Sequence, residues 1–577
     1  MLPNFFHVAE NIPRGNRMVW PTRRDQPAAE NINHHPIMQH SNNTRAAGAR
    51  LACLLLTFAA APEGEAALTG TRTPAFVAWT QVADTATPAL DSAGLSLGIN
   101  YAGFDPPVIS QWSTSIAFKG RLAAPAIPGD DEGVWRTQGT FGTPWLALRE
   151  GDPYPGSGTR TFGFSGSLDV RNLQCGANDW LACATNTSVA GGKVGIGYNL
   201  TLHNLGESPT AAWSDLRPPV ITNMGSPFAT DGQIGMWRRE TPGSARSGVA
   251  YFKAPLPSSP PSFSHWATGF GGGWKINQPP RVGSPSISDG GFVAAYAHDF
   301  GTPQAHIHLI DPFGIPSAVI VRQGDPTLTA IPGFIPAGSK FGIIHNRLMA
   351  NSDAITSGLE LVAWQMQTMA SPVVNKTSLW CKQGTFRHCL AFQGQSAPDL
   401  PPANLITSFY ELQAVPDYTT ADTHWVFWGA NLTGGKAAIY RTRVGLGFAS
   451  PPDLIATDVP FTAWVGLISG GLHAITTLDK FFSVNVHGAL LFSASCSTAP
   501  AGQKRILVTA TVLDNHDRQV RAQSGISVLG GGRIARFFDL AKPEQGQCGR
   551  GQAVGTQWFT ARITFGIGQE GIFWATL

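Results

Sequence analysis

The sequence predicts an all-β chain closed into a β-propeller of seven or eight irregular blades, on three observations. First, one phrase recurs eight times: an apolar strand ending near an aromatic, a polar turn, then a strand reading small-apolar-aromatic. Second, its first-strand landmarks at 118, 198, 237, 296, 364, 428, 492 and 561 average about 63 residues apart, a period typical of repeat architectures. Third, 65 Gly and 43 Pro stand beside only 13% charged residues, against about 25% in an average soluble protein. Turns are therefore many, and nothing after residue 68 sustains a helical period.

The copies run in order. They are Ile116-Ala117-Phe118 with Gly133-Val134-Trp135, Ile196-Gly197-Tyr198 with Ala212-Trp213, Ile234 to Trp237 with Val249-Ala250-Tyr251, and Val293 to Tyr296 with His306-Ile307-His308. Then come Leu361 to Trp364 with Leu379-Trp380, Val426-Phe427-Trp428 with Ala438-Ile439-Tyr440, Leu490-Leu491-Phe492 with Ile506-Leu507-Val508, and Phe559-Thr560-Ala561 with Gly571-Ile572-Phe573. Between them a strand repeatedly enters a Gly-Asp-Pro-like turn, at Gly151-Asp152-Pro153, Gly324-Asp325-Pro326 and Gly394-Gln395-Ser396. Gly there accepts a positive φ and Pro presets the next one. Asp231-Gly232 and Asp289-Gly290 mark a further tight turn before the first strand. About four short strands per unit is the content of a propeller blade. Packing such sheets around an axis buries their apolar faces and leaves only short edges. Paired β-sandwiches are the alternative, although a sandwich does not require the same phrase to recur from residue 110 to the C-terminus.

Residues 1–44 are polar and Asn-rich, and read as a disordered leader or a mis-assigned start, with Met18 and Met38 as other initiators. Residues 45–67 read as a signal peptide: Arg45 and Arg50, the apolar run from Leu51 to Pro62, and a small-residue exit near Ala66 or Ala67. The run is too short to span a bilayer as a helix. Residues 68–577 form the repeat domain. A secreted, periplasmic or extracellular location follows, and Cys53 leaves with the signal. The six remaining cysteines form an even set suited to an oxidising compartment, with Cys175–Cys183, Cys381–Cys389 and Cys496–Cys548 as the nearest-neighbour pairing among several connectivities. A formal net charge of +3, without a basic cluster interleaved with aromatics, argues against a nucleic-acid partner.

At this point the motifs carry a resemblance. Arg149-Glu150-Gly151-Asp152-Pro153-Tyr154-Pro155-Gly156, Ser286 to Ala294 and Glu570-Gly571-Ile572-Phe573 resemble the REGDPxPG, VAFxA and GIY/F blocks of uncharacterised secreted bacterial β-repeat proteins, members of which often carry sorting anchors. The likeness spans nearly all of 68–577. It implies a propeller-like fold and transfers no catalytic residue. The chain departs from the pattern at Trp574-Ala575-Thr576-Leu577, where the apolar helix and basic tail of a sorting anchor do not follow.

His306 and His308 are the leading chemistry-bearing pair. An H-x-H on a strand sets both imidazoles on one face about 7 Å apart, and with His298 and Asp299 across the hairpin they form a candidate divalent-metal site. The competing reading is packing, because the pair fills the slot that holds Val134-Trp135 elsewhere. His345, His424, His473 and His487 fall in connections that a propeller gathers at its mouth. Asp152 and Asp325 read as turn residues and Asp130-Asp131-Glu132 as a solvated hairpin tip; neither has the oxygen density of a calcium loop. No nucleophile elbow, Walker loop or Rossmann fingerprint occurs in its required context. Trp112, Trp274 and Trp464 lie outside the hairpin slots and are candidate ligand platforms, with burial between blades as their competing role. The functional expectation is an exported binding or surface-interaction module for a glycan, polymer or protein. Its rival is an extracellular polysaccharide lyase or hydrolase with a His- or metal-centred site near the ring axis.

Overall fold

The computed structural model describes Leu68–Thr69 and residues 77–577 apart from connecting segments, the longest being 222–231, 276–285 and 542–552; over most of 203–305 it describes strands without their side chains. The described strands form eight sheets, and each of the eight sequence landmarks falls in a different one. We number these sheets blades 1 to 8 in chain order. Each blade is built on an antiparallel hairpin of second and third strands, such as Ile116–Leu122 with Glu132–Thr137 in blade 1 and His424–Leu432 with Ala437–Gly445 in blade 6. An outer strand lies on one side of this hairpin and an inner strand on the other.

Aromatic landmarks meet across the hairpin, as the phrase requires. Phe118 pairs with Trp135, Trp364 with Trp380 and Trp428 with Tyr440, and all six side chains are fully buried. Trp428 and Tyr440 stack with centroids 4.4 Å apart, while Phe118 and Trp135 stack at 6.3 Å. Truncating one such ring to Ala costs about 3–5 kcal/mol, so these pairs anchor blades 1, 5 and 6.

The inner strands close a ring. Val108–Ile109 packs on Val170–Cys175, that on Val220–Ile221, then Ser286–Ile287, Met349–Ser352 and Ile406–Pro416. Gln413 continues the circle by donating from Nε2 to the Phe482 carbonyl at 2.9 Å and accepting at Oε1 from the Val484 amide at 3.0 Å. Asn485 Nδ2 donates to the Gly555 carbonyl at 2.8 Å, and the blade 8 strand Trp558–Gly566 packs back on Val108–Ile109. An early and a late strand of the repeat domain lock the circle, because Thr80–Asp84 pairs antiparallel with Gln569–Thr576 as the outer strand of blade 8. Arg533 Nη1 holds Asp84 Oδ2 at 2.6 Å. At the seam with blade 1, Glu570 Oε1 accepts from the Phe104 amide at 2.8 Å and Arg562 Nη1 donates to the Phe104 carbonyl at 2.7 Å.

The Gly-Asp-Pro-like turns hand one blade to the next. Gly151, Gly324 and Gly394 have φ of 83°, 91° and 87°, and their amides donate to the carbonyls of Phe162, Phe341 and Ile406. Isolated bridges follow at Pro153 with Thr161, Pro326 with Lys340 and Ser396 with Leu405. Asp325 Oδ2 accepts from the Arg322 amide at 3.0 Å, so this carboxylate closes its own turn. A fourth copy sits at Gly525, with φ of 72° and its amide on the Ala535 carbonyl; its Ile526-Ser527 sequence hides it from pattern reading.

Two expectations are corrected. In blade 2 the strand paired to the inner strand is Leu181–Asn186, and Ile196-Gly197-Tyr198 lies in the third strand, Lys193–Asn199, paired outward to Thr201–Ser208. Placing the landmark on Cys183 turns the uneven steps of 80 and 39 into about 65 and 54. The expected partner Ala212-Trp213 lies outside the described residues. The cysteine pairing is the second correction, since Cys183, Cys381, Cys389 and Cys496 are free thiols. Cys381 stands opposite His388 and Cys389 opposite Trp380, which sends neighbouring Cys381 and Trp380 to opposite faces and separates the two sulfurs. Cys175 stands opposite Leu181, two residues short of Cys183, a diagonal wider than the roughly 3.5–4.5 Å between Cβ atoms that a disulfide needs. Cys548 lies outside the described residues.

Candidate functional site

Two described loops that join an inner to a second strand, 417–423 in blade 6 and 485–489 in blade 7, meet at one mouth of the ring. Asp417 organises the first. Its Oδ1 accepts from the Thr419 amide at 2.9 Å and hydroxyl at 2.6 Å, and Oδ2 accepts from Thr423 Oγ1 at 3.1 Å and Arg443 Nε at 2.8 Å. Burial opposes its ionisation, but the Thr419 hydrogen bonds and the Arg443 guanidinium outweigh burial and hold the carboxyl below its ordinary value. Asp422 takes a left-handed φ of 56°, which Asp tolerates because its short side chain bonds locally.

Asn485 organises the second loop in the same manner. Its Oδ1 accepts from the amides of His487 at 3.0 Å and Ala489 at 2.8 Å, and Gly488 turns the chain with φ of 77°. These two anchored loops present Tyr418, 50% exposed, and His487, also exposed. The rings meet edge to face across the seam between blades 6 and 7, with centroids 5.3 Å apart. Partial burial lowers the His487 pKa, which favours the neutral imidazole. The pair offers an aromatic surface, a phenol hydroxyl and a proton-accepting nitrogen at one place.

Below this mouth His424 is fully buried, with Nδ1 3.0 Å from Ser352 Oγ and Nε2 3.0 Å from Gln383 Nε2. Gln383 Nε2 also donates to the Asp422 carbonyl at 2.9 Å. His424 Nε2 is therefore the acceptor and Nδ1–H the donor to Ser352. Sealed from solvent, this network ties blade 5 to blade 6 and supports the Tyr418 loop.

The other sequence-flagged residues lie elsewhere in the chain. His306 and His308 lie on Ala305–Ile310, both buried, with ring centroids only 4.3 Å apart. Burial, then His306 and Arg322, push His308 down to about 2, so its imidazole is neutral in this environment. The register puts His298 opposite Ala305 and Asp299 opposite Trp274; the side chains of His298, Asp299 and Trp274 lie outside the described residues, as do His345 and Trp112 altogether. Among the described residues, no three His, Cys, Asp or Glu converge closely enough for a metal ion. Trp464 is half-buried in Ala463–Gly466, opposite Ala474, and His473 is half-buried beside it opposite Val465.

Glu132 is no solvated tip. Its Oε2 takes Lys119 Nζ at 2.9 Å and the Leu168 amide at 2.7 Å. Glu150 is buried beside it and pushed up to about 7, first by burial, then by the charge of Asp131 and a hydrogen bond to it. A Cβ on Gly163 would stand 2.6 Å from Glu150 Cγ, so the carboxyl is packed against backbone and serves the turn. Sequence reasoning missed Tyr418, Asp417 and Asn485; the Asp-x-Thr and Asn-x-His spacings of side-chain-closed turns were the available signal.

No family model and no curated protein matches the chain. Among solved structures, it is similar to the polysaccharide lyase Uly1, at 10% identity and TM-score 0.35 over 77% of this chain and 100% of that one. It is similar to the β-propeller domain of the Trilobed protease from Pyrococcus furiosus, which has an open velcro topology, at 7% identity and TM-score 0.32 over 72% and 94%. It is also similar to an oligogalacturonate lyase in complex with manganese, at 10% identity and TM-score 0.30 over 71% and 96%. Scores this low leave the fold assignment resting on the strand topology described above.

Proposed function

We propose that the protein is an exported glycan- or polymer-binding β-propeller whose ligand seats at the mouth between blades 6 and 7. The observation that carries this reading is the exposed Tyr418 ring set edge-on to His487, each on a loop pinned by a buried polar side chain. A sugar ring stacks its C–H face on such an aromatic, and the phenol and imidazole supply hydrogen bonds to its hydroxyls. Pre-pinned loops lower the ordering cost of binding. The leader-like segment 45–67 supports export.

Affinity electrophoresis of the full chain against a panel of neutral and acidic polysaccharides tests the proposal. Retention by at least one polymer, lost in Tyr418→Ala and His487→Ala but kept in Leu95→Ala, is the expected result; equal mobility of all four proteins refutes it. A second reading rests on the lowered pKa of His487 beside a phenol, the pairing of a proton acceptor with a donor used in polymer cleavage. Product chains that appear with wild type and vanish in Tyr418→Phe and His487→Asn favour that enzyme.

A further inference from the structure

The seam between blades 6 and 7 buries two guanidinium groups that reach across it in opposite directions. Arg441, on the third strand of blade 6, donates from Nη1 to the Thr511 carbonyl of blade 7 at 2.7 Å. Arg518, on the outer strand of blade 7, donates from Nη1 to the Ile455 carbonyl of blade 6 at 3.1 Å. The register places the two crossings side by side, since Ala510, next to Thr511, pairs with Arg518, and Asp453, two residues before Ile455, pairs with Arg441. A shift in pairing at Ile439/Tyr440 leaves Ile455 between two paired neighbours, and its carbonyl goes to Arg518.

The charges do not balance. Arg441 Nε has Asp453 at 3.3 Å, and Arg443, Arg505, Arg533 and Arg562 have Asp417, Asp479, Asp84 and Asp539. Arg518 is fully buried, no carboxylate faces it among the described residues, and its Nε and Nη2 have no partner. A bare buried cation costs several kcal/mol, and burial depresses the Arg518 pKa only to about 10, which leaves the group charged at neutral pH. Two fork-oriented N–H donors on a buried cation are the recognition element for an anion. We infer that the blade 6–blade 7 seam is a binding site for a small monovalent anion of halide size, held by Arg518 Nε and Nη2. Large oxyanions are disfavoured because the site is closed to solvent.

Thermal unfolding of the full chain, dialysed into gluconate and titrated with chloride or bromide at constant ionic strength, reads the site. Selective binding to the folded state predicts a saturable rise in Tm of ~2 °C or more, abolished in Arg518→Met. Crystals grown in bromide give the direct measurement: an anomalous peak within hydrogen-bond reach of Arg518 Nε and Nη2. This arm decides the matter even if Arg518→Met does not fold. No halide-specific rise, a rise that persists in Arg518→Met, or bromide absent from Arg518 overturns the inference.

Discussion

Gln413 is one uncharged side chain that bridges the seam between blades 6 and 7. It is almost completely buried and substitutes for a stretch of strand pairing, giving Nε2 to the Phe482 carbonyl and taking the Val484 amide at Oε1. Both backbone residues are themselves fully buried, so neither group regains water when Gln413 is removed. An orphaned buried donor or acceptor costs about 1–3 kcal/mol. Gln413→Met keeps the volume and loses both bonds, which predicts a loss of ~2–6 kcal/mol, a large part of the roughly 5–15 kcal/mol that stabilises an ordinary domain. Urea unfolding followed by fluorescence of Trp425 and Trp428 in the adjacent strand measures it, and amide exchange at Val484 localises it. A midpoint within ~0.5 kcal/mol of wild type, with Val484 still protected, refutes the idea that this side chain closes the seam.

Two further predictions concern charge and thiols. Glu411 is buried beside the same seam and pushed up to about 8, chiefly by burial and against hydrogen bonds from Gln413 and the Leu412 amide. Its folded pKa lies above the unfolded value of about 4.3, so the folded state holds the extra proton between them. Stability is then fully present below about pH 4.3 and falls by up to ~1.4 kcal/mol per unit as pH climbs towards 8. Glu411→Gln removes that contribution to the slope in urea titrations from pH 5 to pH 8, and an unchanged slope contradicts the assignment. For the cysteines, denaturing alkylation without reductant labels Cys183, Cys381, Cys389 and Cys496; labelling that requires reductant restores the disulfide expectation.

The blades could be read from the chain because their signal is local. Alternating apolar and aromatic residues over six or seven positions place Phe118, Trp364 and Trp428 in hairpins whatever surrounds them. The phase slipped in blade 2 because Leu181-Ala182-Cys183-Ala184 lacks an aromatic while Ile196-Gly197-Tyr198 in the next strand imitates the phrase. Non-local facts were out of reach. Nothing in Thr80-Gln81-Val82-Ala83-Asp84 announces a partner at Gln569–Thr576, and the meeting of Tyr418 with His487 needs two blades placed side by side. His306 and His308 share a strand, and their burial is a property the sequence does not display.

Ring closure is the claim on which the mouth and both seam sites depend, and cross-strand cysteines test it most directly. Thr80 pairs with Trp574 where an early strand of the repeat domain meets its last strand. In the full chain carrying Thr80→Cys and Trp574→Cys, oxidation is predicted to yield one intramolecular disulfide, seen by peptide mass mapping of the monomer. Cross-linking only between molecules, or none at all, contradicts a ring closed in this register.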